Sequence, residues 1–307
     1  MFKRLLVPLD GSPLAEQALG QAAAIARACG PSVDLLFVRA PGPFESVRTM
    51  PWGPAERAET ERYLEAIGQY VATLGRATVT QSVQKGNPVD RICEHAIEVG
   101  ADLIVMTSHG RTGLSRAWLG SVADGVMRHA KIPVLILRPL EGPTAHRGEG
   151  HDVFKHLLVP LDGLSTEIVP AAISLAKCGK ARVTLLQVVQ PLPEIALDTG
   201  GPYAAIPALD APPTKELADA AREQLADLAR RVEDETGLAT DSRVIVESLL
   251  ATSILDFARA NGVDVIAMGS HSGAVSRLVL GSVADKVARG AEVPVLLYKP
   301  AAKEKSA

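Results

Sequence analysis

Chemistry in this chain concentrates in one stretch, Met106-Thr107-Ser108-His109-Gly110-Arg111-Thr112-Gly113, which runs on to Leu119-Gly120-Ser121-Val122-Ala123-Asp124. It follows a short apolar run, residues 102–105, bounded by turn formers, which reads as the exit of a buried strand. It leads into Val122, Ala123, Val126, Met127 and Ala130, apolar at helical spacing, with Ser121 placed to cap the first turn. Strand, glycine loop and helix N-terminus together offer backbone N–H groups and a positive helix end to an anion, usually a phosphate. The stretch returns as Met268-Gly269-Ser270-His271-Ser272-Gly273 and Leu280-Gly281-Ser282-Val283-Ala284-Asp285. One unit is used twice.

The elements that must position this loop alternate between strand and helix. A central strand over residues 3–9 ends at Asp10-Gly11-Ser12, and its counterpart over 155–161 ends at Asp162-Gly163-Leu164. Helices follow over 14–28, closed by Gly30, and over 167–177, closed by Gly179, then strands over 33–38 and 183–188. Two long Pro/Gly-rich loops, 41–54 and 191–213, precede long helices over 55–74 and 214–235. A third strand and helix, the glycine loop and a last apolar strand (134–137 and 295–298) complete each half. Alternation of this kind gives an α/β fold with a parallel sheet and helices on both faces. Right-handed crossovers lead to the order 3-2-1-4-5, with ligands bound where the order reverses, outside the carboxyl ends of strands 1 and 4. Asp10 and the Ser108-His109-Gly110 loop should then face each other across one crevice. The domains expected are 1–140 and 154–301, with a linker over 141–153 and a tail over 302–307. The apolar last strands would be exposed edges in an isolated half, so the halves should pair through them as a pseudo-dimer.

Composition narrows the partners. With 47% hydrophobic and 22% charged residues the chain is that of a globular protein. A net charge of −3 gives no attraction for nucleic acid or an anionic membrane. No apolar run approaches a membrane span, and Pro8 and Asp10 interrupt anything resembling a signal-peptide core. Cys29, Cys93 and Cys178 are scattered without C-x-x-C spacing, which suits small buried residues in a reducing cytoplasm.

Several chemistries are excluded. A phosphate-loop NTPase needs a lysine before the serine, and neither Gly120-Ser121 nor Gly281-Ser282 has one. The dinucleotide fingerprint is missing after the first strand, a nucleophile elbow would need glycine where Met106 stands, and no spacing suggests a metal site. A phosphate cradle without an evident catalytic group favours binding over turnover.

These motifs, Met-Gly-Ser-His (Met-Thr-Ser-His in the first half) and the later Leu-Gly-Ser-Val-Ala-Asp, preceded in each half by a Leu-Leu-Val-Pro-Leu-Asp strand, resemble the universal stress protein family in its tandem form. Nucleotide-binding members carry G-x-x-G and then G-[ST] for the phosphates of ATP. The resemblance implies an ATP or ADP site in the first half, with Mg reached through the phosphates. Asp10 and Val38 would meet adenine and ribose, with Thr107, His109, Gly110, Gly120, Ser121 and Val122 around the phosphates. In the second half it implies Asp162, Val188, Gly269, His271, Gly281 and Ser282. It further implies a cytoplasmic stress-response protein that signals to an unknown protein partner, with further homodimerisation open.

Both halves depart from the pattern. Thr107 replaces the leading glycine, which costs roughly 1–2 kcal/mol only if that position is left-handed. The second half has Ser272 for the next glycine, and its loop is one residue shorter before Gly281. That removes up to about 3.5 Å of chain, so this cradle must be rebuilt or lost. Plainer roles compete throughout. Asp10 could close an Asx turn, Ser121 and Ser282 are good N-caps whatever binds, and His109 and His271 suit loop anchors better than bases. Arg116 and Arg277 could meet phosphate or solvent, Trp52 and Trp118 suit packing roles, and the Glu/Arg-rich segment 56–62 suits a solvated face. Two rival functions stand beside the nucleotide switch. One is an interaction scaffold without nucleotide, the other a slow ATP hydrolase using His109 or Asp10.

Overall fold

The computed structural model describes residues 1–40, 53–108, 119–139, 152–163, 165–191, 214–270 and 281–299. The first half runs β1 (Arg4–Leu9), α1 (Pro13–Cys29), β2 (Ser32–Arg39), α2 (Pro54–Gly75), β3 (Val79–Lys85), α3 (Pro88–Glu98), β4 (Leu103–Thr107), α4 (Ser121–His129) and β5 (Val134–Leu137). The second repeats it as β6 (His156–Leu161), α5 (Val169–Gly179), β7 (Arg182–Val189), α6 (Thr214–Thr236), β8 (Thr240–Val246), α7 (Leu250–Ala260), β9 (Val265–Gly269), α8 (Ser282–Gly290) and β10 (Val295–Tyr298). His109, Gly110, Arg116, Trp52, Trp118, His271, Ser272 and Arg277 lie outside the described residues, as do most of both Pro-rich loops and the linker.

All ten strands form one sheet, ordered β3-β2-β1-β4-β5-β10-β9-β6-β7-β8. Each half therefore has the expected 3-2-1-4-5 order and is parallel throughout. The two last strands pair antiparallel, with Leu135 opposite Leu296. That pairing converts two apolar edges into the centre of the sheet.

Strand alternation divides the core into two layers. Leu5, Val7, Leu103 and Val105 join Leu157, Val159 and Val265 beneath α1, α2, α5 and α6. Leu6, Ile104, Ile136, Leu158, Ile266 and Leu297 pack under α3, α4, α7 and α8. Each layer crosses the midline, so neither half owns its core alone.

The midline is also tied on both faces. Under the first layer, the ends of α1 and α5 meet and Cys29 and Cys178 form a disulfide, with Cα atoms 5.1 Å apart. This corrects the expectation of unpaired small residues. The partners lie 149 residues apart and only the folded sheet brings them together. On the other face, Arg289 bonds both Asp285 and Asp124, and Arg128 bonds Asp124 and lies 3.5 Å from Asp285. Arg138, just past β5, donates to the Ala291 and Ala288 carbonyls at the end of α8. Lys299, its counterpart, donates to the Arg128 carbonyl at the end of α4. Each half thus places a cation on the negative helix end of the other.

One terminus differs from expectation. Gly30 does take the left-handed position after α1, but after α5 that position belongs to Lys180 (φ 50°), not Gly179. Gly179 serves another need: a Cβ there would collide with the Phe154 carbonyl.

Candidate functional site

The order reverses between β1 and β4, and the crevice expected there is a cavity of about 720 Å³. On one side lies the turn after β1. The Ser12 N–H donates to Asp10 Oδ1 at 2.9 Å, an Asx turn, and Ser12 Oγ caps α1 by accepting from the Ala15 N–H. The plain structural role of Asp10 is therefore present, and Asp10 also lines the cavity.

On the other side, β4 delivers Thr107 and Ser108, both buried and both lining the cavity. Thr107 is not among the residues with positive φ, and neither is Gly269. The replacement of glycine by threonine at the strand end therefore carries no backbone strain. The Ser108 N–H donates to the Leu137 carbonyl, and its own carbonyl accepts from the Gly120 N–H at 2.7 Å, closing the loop at its base.

Gly120, not Ser121, is the N-cap of α4, with φ −59° and ψ 148° and no side-chain cap. Ser121 begins the helix instead, which corrects its expected capping role. Gly281 and Ser282 behave alike at α8. Gly120 brings no side chain to cap the first turn of α4, and Gly120, Ser121 and Val122 line the cavity. A helix N-terminus left in this condition is suited to an anion.

Two walls complete the space. Phe37, Val38 and Arg39 are the last residues of β2. From α2 come Glu56, Glu59, Thr60 and Tyr63, one helical stripe, of which the first three fall in the segment 56–62 expected to face solvent. The charged composition concealed the spacing. Arg57 and Glu61 pair at 2.9 Å, and all of residues 56–62 but Thr60 are exposed, so the segment is the solvated face expected, with Glu56, Glu59 and Thr60 along the cavity's rim. The Arg39 guanidinium bonds Glu56 at 3.1 Å at the cavity's mouth.

The second half has a smaller cavity, about 330 Å³, lined by Asp162, Val188, Gly269 and Gly281 with Ser165 and Gln190. Ser282 is not part of its lining. Asp162 Oδ1 accepts from the Ser165 N–H at 2.8 Å. The Gly281 N–H still donates to the Ser270 carbonyl at 2.9 Å. The shorter loop therefore keeps the same closing bond, and the missing residue is taken up between Ser270 and Gly281. Among the described residues of both halves, no three His, Cys, Asp or Glu side chains converge as a metal site.

Away from the crevice a buried polar group sits where β2, β3 and α3 meet. His95 Nε2 lies 2.9 Å from Asp34 Oδ1, and Thr80 donates to Asp34 Oδ2. Burial pushes the Asp34 carboxyl up, but its bonds to His95 and Thr80 outweigh that and hold it below the usual range. The bond to Asp34 raises His95 despite burial. In the second half the roles change strands: Thr184 takes the β2 place, and Asp241 the Thr80 place.

A duplicated, doubly wound α/β protein with a crevice at each switch point is the class that these features define. The chain belongs to the universal stress protein family, whose model matches residues 1–138 and 154–299. One relative is a universal stress protein of Methanocaldococcus jannaschii, 31% identical over 148 residues, covering 45% of this chain and 83% of that protein. Another, from Thermus aquaticus, is 33% identical over 139 residues, covering 45% of this chain and 100% of that one. The crystal structure of a universal stress protein from Archaeoglobus fulgidus shares the fold over 98% of this chain and 97% of its own, with TM-score 0.67 and 20% identity. The match is therefore to a tandem architecture, one family unit per half. No helix among the described residues is long and apolar enough to cross a membrane.

Proposed function

We propose that the cavity of the first half binds an adenine nucleotide, ATP or ADP, and that the loaded protein changes its affinity for a protein partner. The observation that carries this reading is the first turn of α4, entered through Gly120 without a side-chain cap from it, lining a 720 Å³ cavity opposite Asp10. Ser121, Val122 and Gly120 would hold the phosphates, Asp10 the ribose hydroxyls, and Val38 the base. Magnesium would arrive with the phosphates, since the described side chains offer no cage for it. In this role the nucleotide shifts a population and need not be consumed. His109 and Gly110 retain their proposed place beside the phosphates.

The second cavity, under half the volume and without Ser282 in its wall, supports a weaker site or none. The compartment proposed is the cytoplasm, against which the Cys29–Cys178 bridge weighs, because cytosolic thiols are normally kept reduced. Titration with ATP and Mg²⁺ under thermal denaturation tests the central proposal. A saturable rise in Tm supports it, and an unchanged Tm up to millimolar ATP favours an interaction scaffold.

A further inference from the structure

The two cavities differ most in one wall. In the first, Glu56, Glu59, Thr60 and Tyr63 reach the space from successive turns of α2; in the second, no residue of α6 does. The helices can be aligned through their ends. Arg76 follows α2 and Gly237 follows α6, both left-handed, and buried Leu64 and Val71 then match buried Leu225 and Val232. On that alignment Glu59 becomes Ala220, Thr60 becomes Ala221 and Tyr63 becomes Gln224. Phe37 likewise becomes Gln187, since both pair with the last residue of the neighbouring strand. An aromatic pair in one half is a glutamine pair in the other.

The aromatic pair is built into the cavity. Phe37 and Tyr63 meet edge to face, with ring centroids 6.3 Å apart and planes at 74°. Phe37 also reaches the Asp10 turn, its ring edge lying 3.6 Å from where a Cβ on Gly11 would stand. The pair therefore joins the Asp10 turn to α2. Tyr63 is half-buried and held by its neighbour, so its ring is presented at little entropic cost. Glu59 makes no hydrogen bond or ion pair among the described residues and adds an acceptor to the same wall.

We propose that this face of α2 is the base-recognition wall of the first cavity. Tyr63, braced by Phe37, packs against the nucleobase, and Glu59 accepts from an exocyclic amine. The inference rests on the nucleotide reading above and deepens it. It divides the cavity into an anion end at α4 and an aromatic end at α2, and makes the loss of the aromatic end the main reason the halves are unequal.

Isothermal titration of the full chain with ATP and, separately, with inorganic tripolyphosphate tests it. The variants are Tyr63→Leu, which keeps apolar bulk without a ring, and Tyr63→Phe, which keeps the ring; thermal melts verify that each is folded. The wall predicts that Tyr63→Leu weakens ATP about tenfold, within the range of base–aromatic stacking. Tripolyphosphate binding stays unchanged, and Tyr63→Phe stays within about twofold of the parent for ATP. If Tyr63→Leu leaves ATP binding intact, or weakens both ligands equally, the wall is wrong while the nucleotide reading stands. If the unaltered protein binds neither ligand, the nucleotide reading fails and the wall falls with it.

Discussion

The imidazole of His95 and the carboxylate of Asp34 lie 2.9 Å apart, both almost wholly buried, and together they pin α3 to the outer strands of the first half. The N-terminal turns of α3 carry Pro88 and Ile92 into the cavity wall, so a bond at the far end of the helix helps to fix the site. Stability should therefore depend on pH in a defined window. His95 is raised, so its contribution is full below the unfolded value near 6.5 and is lost as pH rises through the folded one. Asp34 is lowered, so its contribution is present above the unfolded value of 3.8 and is lost as pH falls through the folded one. The pair should stabilise most between about pH 4 and 6.5. Asp34→Ala, which leaves His95 buried without its partner, should cost about 3 kcal/mol in urea denaturation at pH 6. It should also flatten the loss of stability between pH 6 and 8.

Cys29 and Cys178 should be covalently joined in protein purified under air. Thiol titration in denaturant should find one free thiol without reductant and three with it. In the folded protein Cys93 should label slowly at neutral pH, because burial, with Asp90 and Glu94 nearby, raises its thiol to about 11. Closing so long a loop contributes up to about 4–5 kcal/mol in the chain-entropy picture. Cys29→Ser should lower Tm without separating the halves, since β5–β10 and the arginine–aspartate seam remain.

Arg138→Ala should weaken the seam on the opposite face. It removes the donor to two carbonyls at the end of α8, which leaves them without that partner in a partly buried place. A loss of about 2 kcal/mol is expected, by lost hydrogen bonds and the helix-end charge. Denaturation should stay a single transition, because both core layers span the midline. Two separate transitions would show that the halves fold independently.

Much of this architecture was legible in the residues. The strand order and the pairing of last strands followed from buried runs punctuated by Pro, Gly and Asp, and from the need to cover Val134 and Val295. Asp10 and Ser108 were placed on one crevice by topology alone. Other features depend on distances that sequence does not carry. Cys29 and Cys178 have no motif spacing, because a whole domain separates them. Ser121 looks like an N-cap by type, but the bond from the Gly120 N–H to the Ser108 carbonyl draws the cap one residue earlier. The charges of residues 56–62 read as solvent-facing, which their exposure bears out, but the helical spacing that brings Glu56, Glu59 and Thr60 into line with Tyr63 along the cavity was passed over. Leu64, Ile67 and Val71 mark the buried side of α2, and only the cavity shows that its exposed first turns border a site.

Ser121→Ala separates a capping role from a binding one. A lost N-cap would cost about 1 kcal/mol. Because Gly120 is the cap, the substitution should leave Tm within about 1 °C and still weaken ATP severalfold. A fall in Tm of several degrees with unchanged ATP affinity would restore the capping role.

The most direct measurement is calorimetric titration of the full chain with ATP and Mg²⁺, repeated on Asp10→Ala. The account predicts saturable binding at one nucleotide per chain, weakened at least tenfold by Asp10→Ala. Absence of binding in the unaltered protein, or equal affinity in the variant, would contradict it.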